Sequence, residues 1–363
     1  MAGWGLMSIA QIAAAILAAP GVSTAPTASP ALFARAIVSP AIVPTASDDT
    51  YVRDSAAMPN RDWLLGYSGK LRARFFSQLH PSAALPALEH LFGEFAIEHP
   101  GVYPVRDSAF ATGTSYAFIT LLPFSTKQHG RVGPYRVGWW PAERHRLRSP
   151  EYANPDGFIE VTPENEETAV SEHFCLRDFL THDQESVWPK YLVLREALVD
   201  KLELIIDDLA AQGRPDAHLV IMSGFRSPQY NAQGVGHRGG RARDSRHQYG
   251  DAADIYVDDG NGGMSDLNGD GHVDTRDVRV LLESVDRVEQ AHPELVGGAG
   301  VYRGTRAHSP FLHVDVRGDR VRWAFSEPLP SAGRHRKIHH GTPNAQRSPG
   351  RTAGGGGSER SGS

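Results

Sequence analysis

Cysteine is nearly absent: Cys175 is the single one in 363 residues. No intramolecular disulfide can form, and neither can a cysteine-based zinc cluster. Any metal site must therefore draw on His, Asp or Glu. A positive excess is missing too, since 37 Lys and Arg face 42 Asp and Glu for a formal net charge of −5. Binding to nucleic acid through bulk positive charge is thereby excluded. Beyond the first 25 residues no apolar run approaches the ~20 residues of a membrane span. Apolar residues still reach 40% and charged residues stay at 22%, enough for a packed core and too balanced for wholesale disorder.

The length fits two or three ordinary domains. Met1 to Ala25 carries an apolar run of signal-peptide length and a small-x-small site at Ser23-Thr24-Ala25, although no Lys or Arg precedes the run. It reads as an export signal, leaving no stable membrane span after its removal. Residues 26–60, rich in Pro, Ala, Ser and Thr, read as a linker. Residues 61–164 form an N-terminal region of unread role. Helical spacing runs over 61–95 (Leu85, Leu88, Leu91, Phe92), and strand-like stretches at Tyr116–Leu122 and Tyr135–Trp140 predict a small β module. Over 189–212, Leu192, Leu198, Leu202, Ile205 and Leu209 predict the clearest helix, closed by Gly213. His218–Met222, Asp254–Val257 and Phe311–Val316 read as strands and Arg276–Glu289 as a helix. The predicted fold class is α+β, an antiparallel sheet flanked by helices over 165–326. From Ser331 on, the chain has no core-forming pattern. Six basic residues meet one acidic residue there, and His339-His340 is a loose metal-binding pair at best.

Chemistry concentrates in three segments: Ser223-Gly-Phe-Arg-Ser-Pro228, Ser245 to Asp254, and His313-Val-Asp315. His247 and Asp254 lie seven residues apart with Gly250 between them, so a turn at the glycine can bring both to one metal. Strand alternation would put His313 and Asp315 on one face. Two imidazoles and a carboxylate suit Zn²⁺ with one position left for water, the arrangement of catalytic sites.

The pattern Ser-x-His-x-x-Gly-x-Ala-x-Asp, followed by His-x-Asp and preceded by Ser-Gly-Phe-Arg-Ser-Pro, resembles the zinc D-alanyl-D-alanine carboxypeptidase superfamily. That superfamily includes lysostaphin-type endopeptidases and the hedgehog signalling domain. The resemblance spans roughly Val170 to Trp323. It implies that His247, Asp254 and His313 hold zinc, that Arg226 stabilises the developing oxyanion, and that zinc brings its water to a pKa near ~7. Several relatives carry a Glu or Asp three residues before the last ligand; here that position is Pro310. Asp315 and His308 are then the candidate general bases, and Asp315 is alternatively a group that orients a ligand imidazole.

A second motif lies in 258–290. Oxygen side chains at Asp266, Asn268, Asp270, Asp274 and Asp277, with Gly271 at the sixth position and the His272 carbonyl available, match the spacing of an EF-hand calcium loop of dockerin type. The expectation is an exported (periplasmic or secreted) zinc metallopeptidase acting on peptidoglycan stem peptides, with Ca²⁺ pinning the insertion. Its competitors are a non-catalytic cell-wall peptide-binding protein and a calcium-stabilised scaffold or adhesion protein.

Overall fold

The computed structural model describes residues 65–324 except 80–84, 107–114, 147–148, 237–239 and 259. The expected signal, linker and tail, with the His339-His340 pair, lie outside the described residues.

The longest amphipathic pattern folds as α3, Glu196–Ala211. Leu198, Leu202, Ile205 and Leu209 are fully buried at three- to four-residue steps. Gly213, at φ +84, ends the helix. Its N–H donates to Ala210 O (3.0 Å) and the N–H of Arg214 to Leu209 O (3.0 Å), the two-bond closure that a left-handed glycine permits. The helix starts later than its periodicity predicts. Lys190–Leu192 is instead β8, because Leu192 pairs with Ile159 of β7 (Gly157–Val161). Leu192 satisfied helical spacing while serving a sheet.

The site is carried by a five-stranded sheet in the order β13-β11-β12-β10-β9. The strands are β9 (His218–Ser223), β10 (Ala252–Asp258), β11 (Gly298–Tyr302), β12 (Phe311–Asp315) and β13 (Val321–Ala324). The expected antiparallel pairing holds except at the edge, where β11 and β13 run parallel. β11 escapes sequence reading because Gly298 and Gly300 depress its strand propensity. Those glycines admit neighbours: a Cβ on Gly300 would lie 2.2 Å from the Trp323 ring, and one on Gly298 would lie 2.6 Å from Asp315 Oδ2. Helix α5, Thr275–Ala291, packs against α3, β11 and β12. Its Val278, Leu281 and Val285 join the core with Leu312 and Val314, leaving His313 and Asp315 to the other sheet face.

Upstream, β1 (Arg74–Phe76), β2 (Gly101–Arg106) and β3 (Ser115–Thr120) make a small sheet. Of the helical spacing expected over 61–95, the described residues show helix in α1 (Leu85–Phe92) and in α2 (Glu94–Glu98). The stretch Arg72-Ala-Arg-Phe-Phe76 is extended, because alternation turns both arginines toward α3. Arg72 pairs with Glu196 and with Asp200 (2.8 Å), and Arg74 pairs with Glu196. All four are buried. A buried charge keeps its place only when paired, so this cluster clamps the upstream segment to α3. Short β4 (Leu122–Pro123) joins β7 and β8, and β5 (Arg131–Val132) pairs with β6 (Tyr135–Arg136). The predicted strand 135–140 stops at Arg136 because Gly138 takes φ +84 against Gln229. One continuous core spans both sides of position 165, from Ala73 through Trp140 to Val314.

Candidate metal centre

His247 lies on a 3₁₀ turn, Arg246–Tyr249, that ends at Gly250 in the left-handed conformation (φ +68). A Cβ there would sit 2.3 Å from Val193 O, and Gly250 O accepts the N–H of Arg195 at 2.9 Å. The turn is thus pressed onto the junction between β8 and α3, where only glycine fits. A buried Arg246–Asp251 ion pair spans it, with Nε to Oδ1 at 3.1 Å. The fully buried Trp140 indole donates to Gln248 O at 2.8 Å. Past the turn the chain enters β10. Asp254 stands directly opposite His313 of β12, and His313 opposite Gly300 of β11.

The three predicted ligands meet. Asp254 Oδ1 lies 3.2 Å from His247 Nε2 and 3.0 Å from His313 Nδ1, and the two nitrogens are 3.1 Å apart. Both imidazoles have their remote nitrogen committed as donor: His247 Nδ1 to Gly224 O at 2.7 Å, His313 Nε2 to Asp315 Oδ2 at 3.1 Å. The facing nitrogens therefore present lone pairs when the rings are neutral. A proton on His313 Nδ1 would satisfy its contact with Asp254 but leave His247 Nε2 facing acceptors or competing for that proton. A single cation satisfies all three atoms at once. Ligand bonds of about 2.0–2.1 Å in a tetrahedron put ligand atoms about 3.3 Å apart, close to the observed spacing. The donor set fits zinc.

Electrostatics agree at His247 and Asp254, while the metal-free carboxylates draw a proton toward His313 that a cation would displace. Burial, aided by the nearby Arg226 charge, pushes the His247 pKa down to about 4, so the ring is a neutral ligand at pH 7. His313 is raised: burial opposes its charge, but hydrogen bonds to Asp254 and Asp315 outweigh it. Asp254 is held well below the carboxylate range by His247 and Arg226 in spite of burial. Arg226 donates its backbone N–H to His247 O (3.0 Å) and Nη2 to Asp254 Oδ2 (3.3 Å), while its buried Nε has no protein partner. Burial lowers its pKa. Phe225 and Ser227 on either side are tied to Phe179 and Thr181 by Phe225 N to Phe179 O (2.9 Å) and Ser227 N to Thr181 Oγ1 (3.2 Å).

Asp315 does not stand where a general base must. It is fully buried behind the His313 ring, with Oδ1 accepting the N–H of Gly298 (2.7 Å) and both oxygens facing Arg317 Nε (2.9 and 3.0 Å). The geometry makes it the carboxylate that orients a ligand imidazole, which replaces the base assignment. Asp315→Asn is expected to weaken zinc affinity by roughly 10-fold or more with near-normal turnover at saturating zinc. A collapse of turnover at full zinc occupancy would restore the base role. His308 precedes β12, bonds through Nδ1 to Ser309 O (2.9 Å) and packs edge-on to Phe311; neither contact reaches the three ligands. Trp323, 5.2 Å from the His313 ring, bonds Tyr302 through its indole N–H (3.2 Å). Neither residue was anticipated. The closely spaced glycines at 297, 298 and 300 were the available sign of a crowded strand.

The 266–277 loop is organised differently from expectation. Asp277 is fully buried as the third residue of a capping box on α5. Its oxygens accept the N–H groups of Leu267 (2.9 Å), Asn268 (3.1 Å) and Asp274 (2.8 Å). Asp266 accepts from Gly269, Asp270 and Gly271; Asp270 Oδ1 accepts from His272 N; Asn268 Oδ1 accepts from Asp270 N. Arg276 bridges Asp270 and Asp274. Among the described residues, His247, Asp254 and His313 are the one group of three His, Cys, Asp or Glu ligand atoms within 4.8 Å of one another. Asp277 faces backbone N–H groups and a guanidinium lies between two other carboxylates, so the loop closes on its own hydrogen bonds, and nothing in the structure supports a calcium ion there. Asp277→Ala should cost about 2 kcal/mol by urea denaturation through the orphaned N–H groups. The wild-type melting temperature should stay within about 1 °C on adding millimolar calcium, the magnitude of a fraction of 1 kcal/mol. A rise of several degrees would reinstate calcium.

Residues 191–267 match the family model described as Peptidase M15. The match covers Arg226, His247 and Asp254 and stops before His313. M15 peptidases are zinc-dependent, in keeping with the His-Asp-His group. No curated protein and no solved structure matches the chain significantly. No helix among the described residues is long and apolar enough to cross a membrane.

Proposed function

We propose that this protein is an exported zinc metallopeptidase that hydrolyses amide bonds of peptidoglycan stem peptides. The observation that carries the reading is the convergence of three acceptor atoms, two with tautomers fixed from behind, beside a buried arginine with an unused N–H. His247, Asp254 and His313 would hold the ion. When bound, zinc supplies Lewis acidity, polarising an amide carbonyl and making hydroxide available near neutral pH. The chain's own residues do the rest. Gly224 O and Asp315 hold the two imidazoles as lone-pair donors toward the centre. Arg226, fixed by its backbone bond to His247 and by Asp254, offers its guanidinium to the oxygen that gains charge as the amide is attacked. Burial strengthens that interaction by excluding competing water.

The reading excludes nucleic acid as a partner on charge grounds and places the protein in the cell envelope, where the substrate resides. The test pairs two measurements on purified full-length protein. Metal analysis should find near one zinc per chain. Incubation with purified sacculi should release new muropeptides, and His247→Ala should abolish both zinc and products. Zinc-loaded protein that binds sacculi but releases nothing would favour the non-catalytic binding protein instead.

A further inference from the structure

The ligand segments of the metal centre are anchored by different means. Ahead of the metal turn the anchor is neutral. Asn231 of the short helix α4, Pro228–Gln233, donates to Ala242 O (2.9 Å) and Arg243 O (3.3 Å). Behind His313 the anchor is ionic and reaches through the core. Lys201 of α3 is fully buried. Its Nζ donates to Glu289 Oε1 of α5 (2.7 Å), to Leu295 O (3.0 Å) and to Asp315 O (2.8 Å). Three acceptors thus meet the three donors of an ammonium. Glu289 is buried as well; its Oε1 accepts the N–H of Gly297 at 3.1 Å, and its Oε2 pairs with Arg322. Arg322 in turn donates Nη1 to Gly297 O at 2.8 Å.

These bonds converge on one peptide group. Asp315 O faces Lys201, and the N–H that follows it, of Val316, donates to Asp251 O at 3.0 Å. Gly297 closes on the same carbonyl, where a Cβ would lie 1.8 Å from Asp315 O. The peptide plane is therefore fixed on both sides. So is the Cα from which the Asp315 carboxylate reaches His313 Nε2 at 3.1 Å.

Stability alone does not call for this arrangement. Lys and Glu are almost never fully buried unless paired, and apolar side chains of similar volume often stabilise a core at least as well as a buried ion pair. What the pair adds is direction, because a charge-assisted hydrogen bond places a carbonyl more narrowly than apolar packing does. A ligand imidazole needs that accuracy, since the group behind it sets the angle of the ring. His313 Nδ1 must stay where it stands, 3.1 Å from His247 Nε2 and 3.0 Å from Asp254 Oδ1.

Resting on the metal-centre reading, we infer that Lys201 is a positioning residue of that centre. Paired with Glu289, it fixes the Asp315 peptide and through it the angle of the His313 ring, so that zinc affinity depends on an ion pair between two helices outside the ligand set.

The test measures the zinc Kd of purified full-length protein by competition with a chromogenic chelator, beside its urea midpoint. Lys201→Met should weaken zinc binding by roughly 10-fold, the low end for losing support behind a ligand imidazole. That variant also strips Glu289 of its buried cation and lowers stability, so Lys201→Met/Glu289→Gln is its companion. The Gln keeps an oxygen for the Gly297 N–H while the buried charge is gone. Its midpoint should return toward that of the wild type, and its zinc affinity should stay low. In an Asp315→Asn background, Lys201→Met should add less than about twofold, since both changes act through one carboxylate. A zinc Kd for Lys201→Met within about twofold of the wild type overturns the inference. So does a companion variant whose zinc affinity recovers with its stability, and so do losses that multiply in the Asp315→Asn background. If the wild type takes up no zinc, the metal-centre reading fails on its own. NMR of protein labelled with ¹⁵N-histidine then still decides the positioning: Lys201→Met must move the His313 Nε2 resonance, as Asp315→Asn must, and a resonance at the wild-type position overturns it.

Discussion

Arg226→Gln is expected to lower kcat by roughly 10²- to 10³-fold while the protein keeps about one zinc per chain. The magnitude is that of removing one fixed donor from the oxygen that becomes negative in the transition state. The guanidinium makes a single 3.3 Å contact to Asp254 and leaves a buried Nε without a partner, so little of its bonding capacity goes into holding the fold. Gln preserves a short polar side chain but not the charge. Arg226→Lys should fall between the two, since a point charge lacks the planar fork. Zinc content and KM should move far less than kcat, because the interaction strengthens only as charge develops. A variant with full zinc and undiminished kcat would reduce Arg226 to an ion-pair partner of Asp254.

Gly250→Ala should destabilise the protein by about 3 kcal/mol. A left-handed backbone costs a non-glycine residue roughly 1–2 kcal/mol, and forcing extra atoms into a packed site adds about 1–3 kcal/mol. Here the added carbon meets the Val193 carbonyl at 2.3 Å, backbone against backbone, so no side-chain rotation relieves it. The chain must shift between His247 and Asp254, and zinc occupancy should fall along with the urea midpoint. The two readings can be separated: saturating zinc should recover part of the stability through linkage without returning the midpoint to that of the wild type. An unchanged midpoint would show that the 246–250 turn is not pinned by the junction of β8 and α3.

Much of this site is legible in the chain because its determinants are local. The seven-residue interval with glycine inside predicts a turn, and Gly250 makes it. The alternation around His313 predicts a strand with one polar face, and β12 has it. The apolar spacing over 189–212 predicts a helix and its glycine stop, and α3 fills all but the start of that stretch. Failures occur where contacts are distant in sequence. The burial of Arg72 and Arg74 has no local sign, because their partners Glu196 and Asp200 lie far along the chain. The strand β11 is hidden by glycines whose purpose is to admit Asp315 and Trp323. The 266–277 loop has the oxygen spacing of a cation loop, but spacing does not say whether a carboxylate turns toward an ion or caps a helix.

By itself the sequence determined the inventory: no thiol ligands, two imidazoles and one carboxylate at intervals that one metal can gather, and an arginine beside them. These follow from residue type and from turn and strand periodicity. Only the tertiary structure decided which imidazole nitrogens face the centre, that Asp315 stands behind the His313 ring, and that Arg226 keeps a buried Nε without a protein partner. Tautomers, burial and unused donors depend on groups from distant segments meeting in one small volume, and no local pattern encodes that.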